Sequence, residues 1–331
     1  MLAETDLALI NALQVSPRAD WAQVGKALGV TASTAARRWA ALCTTGRAWV
    51  TSAPGVRFSS VTSFLRVTAA PGAHATVAEQ LCAEPSAATI SMVSGRFDFL
   101  VDCFAPSPEA LSSLLIDRYA AMPGVQHTDS SVAVAIHRGG SEYRSGALDA
   151  EQTRLVGDGQ AGKAGFDLSP DATDRALLRC LCLDGRASWA ELAMASGVSP
   201  QTARRRVGAL QASGYLSLRC DYCDDARGPL REVSLMLDVP GPAMDKVAGY
   251  FARLKECRLT AQVVDSFNLL TTLWVRDLTE IDRHEREMAK LAAGVHVVDR
   301  HVVLRTIKRV GHVLDREGCS AQVVPPAVWS D

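Results

Sequence analysis

An α+β fold built twice in one chain is what this sequence of 331 residues predicts, each copy a winged helix-turn-helix followed by a ferredoxin-like βαββαβ sandwich. Two observations carry it: a long internal repeat, and hydrophobic spacing that changes from helical to strand period within each repeat. At about 100–200 residues per domain the length allows two to four domains, each with its own core. Hydrophobic residues at 48% and charged residues at 21% argue against wholesale disorder and against a fibrous architecture. No run of ~18 uncharged apolar residues occurs, and MLAETDLALI lacks a basic region ahead of an apolar stretch, so a soluble, cytoplasmic protein is expected. Nine Cys, scattered from Cys43 to Cys319, read as reduced thiols. A formal net charge of -1 gives no overall field toward nucleic acid or membrane, so any such contact must be local.

The repeat has an offset of 168. DLALINALQVSPRADWAQVGKALGVTASTAARRWAALCTTGRAWV, from Asp6, aligns without a gap with DRALLRCLCLDGRASWAELAMASGVSPQTARRRVGALQASGYLSL, from Asp174, and 18 of the 45 pairs are identical. Asp6/Asp174, Trp21/Trp189, Gly29/Gly197, Thr34/Thr202, Arg37/Arg205 and Arg38/Arg206 are among them. The similarity resumes where VSGRFDFL at Val93 meets VVDSFNLL at Val263. The segment from Gly139 is rich in Gly and polar residues and reads as a linker. The boundaries that follow are 1–53 (helix-turn-helix one), 54–138 (αβ one), 139–170 (linker), 171–228 (helix-turn-helix two), 229–315 (αβ two) and 316–331 (tail).

In each first part, apolar residues at helical spacing (Leu7, Ile10, Leu13; Leu177, Leu178, Leu181) lead to a second short helix (Trp21, Val24, Leu28; Trp189, Leu192). Gly29 or Gly197 suits its C-cap, and Thr31 or Ser199, with Pro200 at a first helical position, suits the next N-cap. The third helix buries Trp39 and Leu42, or Val207 and Leu210, and leaves polar residues on its other faces. It ends at Gly46 or Gly214 before a short apolar strand and a wing. Ser33, Thr34, Arg37 and Arg38, with Gln201, Thr202, Arg204, Arg205 and Arg206, are the candidate DNA-binding residues. Hydroxyls and amides reach phosphates and base edges, and Arg offers a fork to guanine or a charge to phosphate. Lys supplies only six of 35 basic residues, so the position of each Arg carries this argument rather than their number.

In the second part SFLRVTA alternates as a strand, HATVAEQLCAE reads as a helix, and ATISMVSGRFDFLVDCFA as two strands about a Gly turn. SPEALSSLLIDRYAAM and VQHTDSSVAVAIHR complete a βαββαβ order. EVSLMLDV, AMDKVAGYFARLKE, TAQVVDSFNLLTTLWV, LTEIDRHEREMAKLA and VVDRHVVLRTIKR repeat it.

A third helix with S-x-x-T-x-x-R-R-x-x-x-L-x-x-x-G, joined to a βαββαβ domain with V-S-G-x-F-D-F-L and a later P-G-V, resembles the Lrp/AsnC, or feast/famine, transcription regulators. The resemblance covers most of the chain, twice over. It implies a non-enzymatic, sequence-specific regulator with double-stranded DNA and a small effector, typically an amino acid, as partners. It also implies αβ domains that pair through their sheets, with homo-oligomers of the chain built on that pairing. The effector would lie between them near the Gly turn, which places Gly95, Arg96 and Asp98, with Thr128 and Ser130, in its site. Backbone N–H groups of a Gly turn suit a carboxylate, and an Asp accepts an ammonium. Copy two departs from the pattern with Asp265 for Gly95 and Asn268 for Asp98. The fusion supplies two unlike recognition helices, which suits a non-palindromic site.

No cofactor, metal or membrane partner is expected. Cys220-Asp221-Tyr222-Cys223 is a lone C-x-x-C, the His residues lack a ligand spacing, and Trp21 and Trp189 suit packing. Two alternatives stand beside the regulator: an effector-sensing partner without DNA binding, and an enzyme resembling the sirohaem decarboxylases, although no H-N-Y stretch occurs.

Overall fold

The structure, a computed structural model, describes residues 2–55, 61–157, 170–223 and 230–327. Helices α1 (Glu4–Val15), α2 (Trp21–Leu28) and α3 (Ala32–Thr44) lead into strand β1 (Ala48–Pro54). The first αβ part follows as β2 (Val61–Ala69), α4 (His74–Ala83), β3 (Ala87–Val93), β4 (Phe99–Ala105), α5 (Pro108–Ser113) and β5 (Val125–Arg138), with a π turn at Leu114–Tyr119 extending α5. After α6 (Ala150–Val156) come α7 (Ala172–Leu183), α8 (Trp189–Ser196), α9 (Pro200–Ala212) and β6 (Leu216–Tyr222). The second αβ part is β7 (Arg231–Asp238), α10 (Met244–Arg253), β8 (Cys257–Val264), β9 (Leu269–Val275), α11 (Thr279–Leu291) and β10 (His296–Arg309), and β11 (His312–Leu314) and β12 (Ser320–Val323) close the chain.

Like gathers with like. Residues 1–59, 144–226 and 310–331 form one unit, which holds both helix-turn-helix parts, and residues 60–143 and 227–309 form the other, which holds both αβ parts.

In the first unit, α2 and α8 each end on a glycine in the left-handed region, Gly29 at φ 66 and Gly197 at φ 69. Such a residue lets the chain turn at once into the next helix without a Cβ penalty. The next helix is capped alike in both copies: Thr31 Oγ1 accepts from the Thr34 N–H, and Ser199 Oγ from the Thr202 N–H. Leu9, Ile10, Leu13, Val24, Trp39 and Leu42 fill one core, and Leu177, Leu178, Leu181, Leu192, Val207 and Leu210 the other.

Three expectations change here. Among the described residues each copy supplies one strand in place of a hairpin wing, and β1 pairs antiparallel with β6 of the other copy, from Ala48↔Tyr222 to Pro54↔Leu216. A lone strand leaves its backbone donors unpaired, and the repeat offers an equivalent edge to satisfy them. The early part of the linker is likewise structured: Gln14 Oε1 accepts from the Ser145 N–H and Asn11 Oδ1 from the Leu148 N–H, and Asp149 caps α6. The rest of that linker, 158–169, lies outside the described residues. Finally, the second αβ part ends at Arg309, and the tail forms the β11–β12 hairpin. Within this hairpin His312 stacks on Trp49 at 5.0 Å, and the Ser320 N–H donates to Gly46 O. Burial pushes His312 down to about 4, so its imidazole is neutral near pH 7.

In the second unit each αβ part forms a four-stranded antiparallel sheet, in the order β3-β4-β2-β5 and its counterpart β10-β7-β9-β8. Seams between β5 and β8 and between β10 and β3 join the two sheets into a closed ring of eight strands. One face of each sheet packs on its own helices: Leu65 and Val67 on Val77 and Leu81 of α4, and Leu235 and Leu237 on Val247 and Phe251 of α10. The other faces meet across Phe64, Val93, Leu100, Met236, Ala261, Val263, Phe267 and Leu270. A fully buried large apolar side chain contributes roughly 1.5–3 kcal/mol, so this junction is a core and not a loose contact. Among the described residues no helix is long and apolar enough to cross a membrane.

Candidate functional site

The nine candidate DNA-binding residues lie on α3 and α9, but they do not all face outward. Ser33, Arg37, Gln201, Arg204 and Arg205 are exposed. Thr34 and Thr202 sit half-buried in the caps, where each Oγ1 accepts from the capping hydroxyl, at 2.9 and 3.0 Å. Arg38 and Arg206 turn back onto the first helix of their own domain. Arg38 Nη1 bonds Asp6 Oδ1 at 2.8 Å, and Arg206 Nη1 bonds Asp174 Oδ1 at 2.9 Å and also both oxygens of Asp171. The side chain of Asp174 is 5% exposed, so this guanidinium compensates a nearly buried carboxylate. Placing Arg38 and Arg206 among the DNA-facing residues is therefore corrected: the pair tie helix to helix. The signal was in the sequence, since Asp6/Asp174 and Arg38/Arg206 are both identical between copies.

A second pair of arginines joins the two domains reciprocally. Arg18 lies over the Trp189 ring at 4.1 Å and donates to Gly185 O and Ala187 O; Arg186 lies over Trp21 at 4.0 Å and donates to Pro17 O and Ala19 O. Cation–π contact and carbonyl acceptors partner both guanidinium groups through their Nη atoms. The two half-buried indoles thus lie against partners that sequence reasoning did not name. Arg18 and Arg186 also line, with Arg204, a groove of about 510 Å³ between the domains.

The five candidate effector residues fall on different faces of the sheet. Thr128 and Ser130 lie opposite Val67 and Leu65, and directly paired residues share a face, so both point to the helix side. Asp129 and Ser131, one position along, face the opposing copy. A strand alternates faces at every residue, so choosing Thr128 and Ser130 selects the wrong parity for a site between domains.

Asp98 has a local task. Its Oδ2 accepts from the Ala69 N–H at 2.8 Å and its Oδ1 from His74 Nε2 at 3.1 Å, which clips the β3–β4 turn to the end of β2. Asn268 makes the same clip in copy two, accepting from the Val239 N–H at 2.9 Å and donating to Val239 O at 2.8 Å. The change from Asp to Asn therefore conserves the bond from the backbone N–H and alters the charge and the second partner, His74 in one copy and Val239 O in the other.

Gly95 adopts φ 110 and sits against the imidazole of His301, fully buried on β10, whose Nδ1–H donates to Ser94 O at 2.7 Å. A Cβ at Gly95 would stand 2.8 Å from that Nδ1, so glycine is required both by the backbone and by this neighbour. Phe97 lies 4.7 Å from the same ring, and Arg96 Nε donates to Asp299 Oδ2 at 3.1 Å.

The corresponding place in copy two holds an ionic cluster that sequence reasoning missed. Arg66, 2% exposed in its side chain, donates to Ser131 Oγ at 2.6 Å and pairs with Asp129 Oδ2 and Asp265 Oδ2, each at 2.6 Å. Phe97 and Phe267 lie near it at 5.6 and 5.2 Å, and Ser131 also donates to Asp265. Burial alone would raise Asp265, but hydrogen bonds from Ser131, the Ser266 N–H and Arg66 hold it below the ordinary carboxylate range. An Arg sharing strand parity with buried Phe64 was the available clue.

Among the described residues no group of three or more His, Cys, Asp or Glu could hold a metal ion. Cys220 and Cys223 are both buried, and burial raises Cys220 well above its ordinary value.

A family model described as the AsnC-type helix-turn-helix domain matches residues 2–42 and again 171–211, and one described as the Lrp/AsnC ligand binding domain matches residues 62–140. The second αβ part repeats the element order of that matched region. An HTH-type transcriptional regulator of Pyrococcus abyssi is 26% identical over 143 residues, covering 43% of this chain and 90% of that protein. One from Pyrococcus horikoshii is 24% identical over 143 residues, with the same coverage. Among solved structures, the siroheme decarboxylase NirDL aligns over 93% of each chain with a TM-score of 0.58 at 15% identity, a likeness of fold.

Proposed function

We propose, for a chain that belongs to the Lrp/AsnC family and carries its domains in tandem, that it is a cytoplasmic regulator binding specific DNA through α3 and α9 and sensing a small metabolite through its αβ pair. The observation that carries this reading is the doubled recognition surface. Both copies keep the cap, the buried stripe and the Asp–Arg tie that fix the third helix, and both leave Arg37 or Arg205 exposed on it. The Arg18–Trp189 and Arg186–Trp21 contacts hold the two helix-turn-helix domains to each other, so their spacing is set before DNA is met. Preorganisation of that kind lowers the ordering cost of binding.

For the effector, an amino acid is the ligand class that the family relationship suggests. The Gly95-Arg96-Phe97-Asp98 turn is the proposed contact, with Asp98, whose Oδ1 already bonds His74, as the acceptor for an ammonium. The effector would act by favouring one of two arrangements through a difference in affinity. In copy two Asp265 and Asn268 leave no equivalent charge pattern.

The second reading, an enzyme acting on a tetrapyrrole, draws on the fold likeness to NirDL. The two groups facing the junction of the αβ parts, Arg66 and His301, are buried, Arg66 held by Asp265 and His301 through Nδ1 by Ser94 O, while His301 Nε2 has no hydrogen-bond partner among the described residues. The carboxylates that already hold Arg66 favour the regulator.

The test is binding of the purified chain to its own upstream region against a scrambled duplex, over a salt series, with and without a mixture of amino acids. Specific binding with a steep negative slope of log K against log salt, shifted by the mixture, is expected. A chain that binds neither duplex specifically while taking up an iron tetrapyrrole would replace this reading with the enzymatic one.

A further inference from the structure

The eight-stranded ring pairs two domains that are similar but not interchangeable. Four pairs of positions related by an offset of 170 lie at its junction: Arg66 and Met236 on the first strands, Gly95 and Asp265 on the turns, Ser131 and His301, and Asp129 and Asp299, on the last strands. Their equivalence is structural as well, since Arg66 pairs with Asp129 in the β2–β5 register and Met236 with Asp299 in the β7–β10 register. One place is thus Arg66–Asp265–Ser131 and the other Met236–Gly95–His301.

We propose that these substitutions form a pairing code: the first αβ domain accepts the second and rejects a copy of itself, and the second does likewise. Arg66, already paired with Asp129, takes a second carboxylate from the opposing turn, and only the second domain has Asp265 there. In a pair of first domains Arg66 would keep Asp129 and Ser131 but face a glycine, leaving a hollow where the Asp265 carboxylate sits. His301 needs a bare turn, and only the first domain has Gly95. In a pair of second domains Asp265 would place a Cβ where even the smallest side chain stands 2.8 Å from His301 Nδ1, and its carboxylate would lose both Arg66 and Ser131. Loss of one of the two carboxylates that hold the buried Arg66 disfavours one homotypic pair, and a steric clash the other. The partner that each domain fits is therefore the opposite αβ domain, from the same chain or from a second copy of it.

The seams make this testable in the full chain. Ala133 on β5 lies opposite Val263 on β8, and Val303 on β10 is paired with Val93 on β3, the same relation 170 residues on. A pair of first domains from two chains would set Ala133 against Val93, residues that stand at opposite edges of one sheet within a chain. After refolding and mild oxidation, peptide mapping of Ala133→Cys/Val263→Cys should find the 133–263 link, and mapping of Ala133→Cys/Val93→Cys should find no 133–93 link. Adding Arg66→Met, Asp265→Gly and His301→Ser to the latter makes both places alike and should raise interchain 133–93 links at least tenfold. A native background that already forms 133–93 links at the level of that variant, or a soluble variant that forms no more than native, would overturn the code. If the variant does not fold, Gly95→Ala should lower the thermal midpoint and His301→Ser in the same chain should restore part of it; no restoration would overturn the code equally.

Discussion

At the scale of the residue, Asp98 and Asn268 separate geometry from charge. Both clip a turn to the end of a strand through a backbone N–H, so the amide performs the structural task as well as the carboxylate. Asp98→Asn should therefore fold with stability within about 0.5 kcal/mol of native, whereas Asp98→Ala, which leaves the Ala69 N–H without its acceptor, should cost about 1–3 kcal/mol in a denaturant titration. If Asp98 also receives an effector's ammonium, the Asn variant loses the effector's influence on DNA binding while unliganded binding is unchanged. A full effector response in the folded Asn variant takes Asp98 out of that site. The sequence made the turn legible, because Gly95 and Asp98 stand in a recognisable pattern. It did not make the faces of β5 legible: Thr128, Asp129, Ser130 and Ser131 are all short polar residues, and without an apolar alternation there the parity is unmarked.

At the scale of the element, α9 carries three consecutive arginines with two different occupations. Arg205 is exposed, whereas Arg206 is held by Asp171 and Asp174. Arg205→Ala should weaken DNA binding and lower the magnitude of the salt slope by about one, as removal of a single phosphate-neutralising charge does. Arg206→Ala should leave the slope nearly unchanged and instead cost about 1–3 kcal/mol of stability, because Asp174 remains buried without its cation. Equal effects of the two variants on slope would contradict the division. The helices themselves were legible from caps, glycines and apolar spacing, which are local signals. The partnering of β1 with β6 was not, because a single strand after a helix says nothing about which edge it will find. The same holds for the segment before α6, whose backbone is ordered by Asn11 and Gln14, polar residues buried on a helix expected to show only an apolar stripe there.

At the scale of the whole molecule, the repeat foretold two of everything, and the structure sorts the copies by kind rather than by sequence order, helix-turn-helix with helix-turn-helix and sheet with sheet. Sorting by kind places the two proposed recognition helices in one unit, and they are not the same helix. Where α3 presents Ser33, Ala36 and Arg37, α9 presents Gln201, Arg204 and Arg205. Gln can bond adenine through two atoms and Arg can do so with guanine, interactions worth about 1–3 kcal/mol of discrimination each, while Ser and Ala offer less. Two half-sites of different sequence are the expected target, with α9 the more selective reader. Giving α9 the α3 set through Gln201→Ser and Arg204→Ala should then lower affinity for the native site. It should also move preference toward a duplex whose half-sites are both of the α3 type, by roughly 5–150-fold for each two-pronged base interaction removed. Selection from a randomised duplex pool with the native and substituted chains measures both shifts. Identical selected sequences from the two chains would show that Gln201 and Arg204 touch backbone only, and the asymmetry of the fused chain would then lie in its αβ pair, where Arg66 and Asp265 already distinguish one copy from the other.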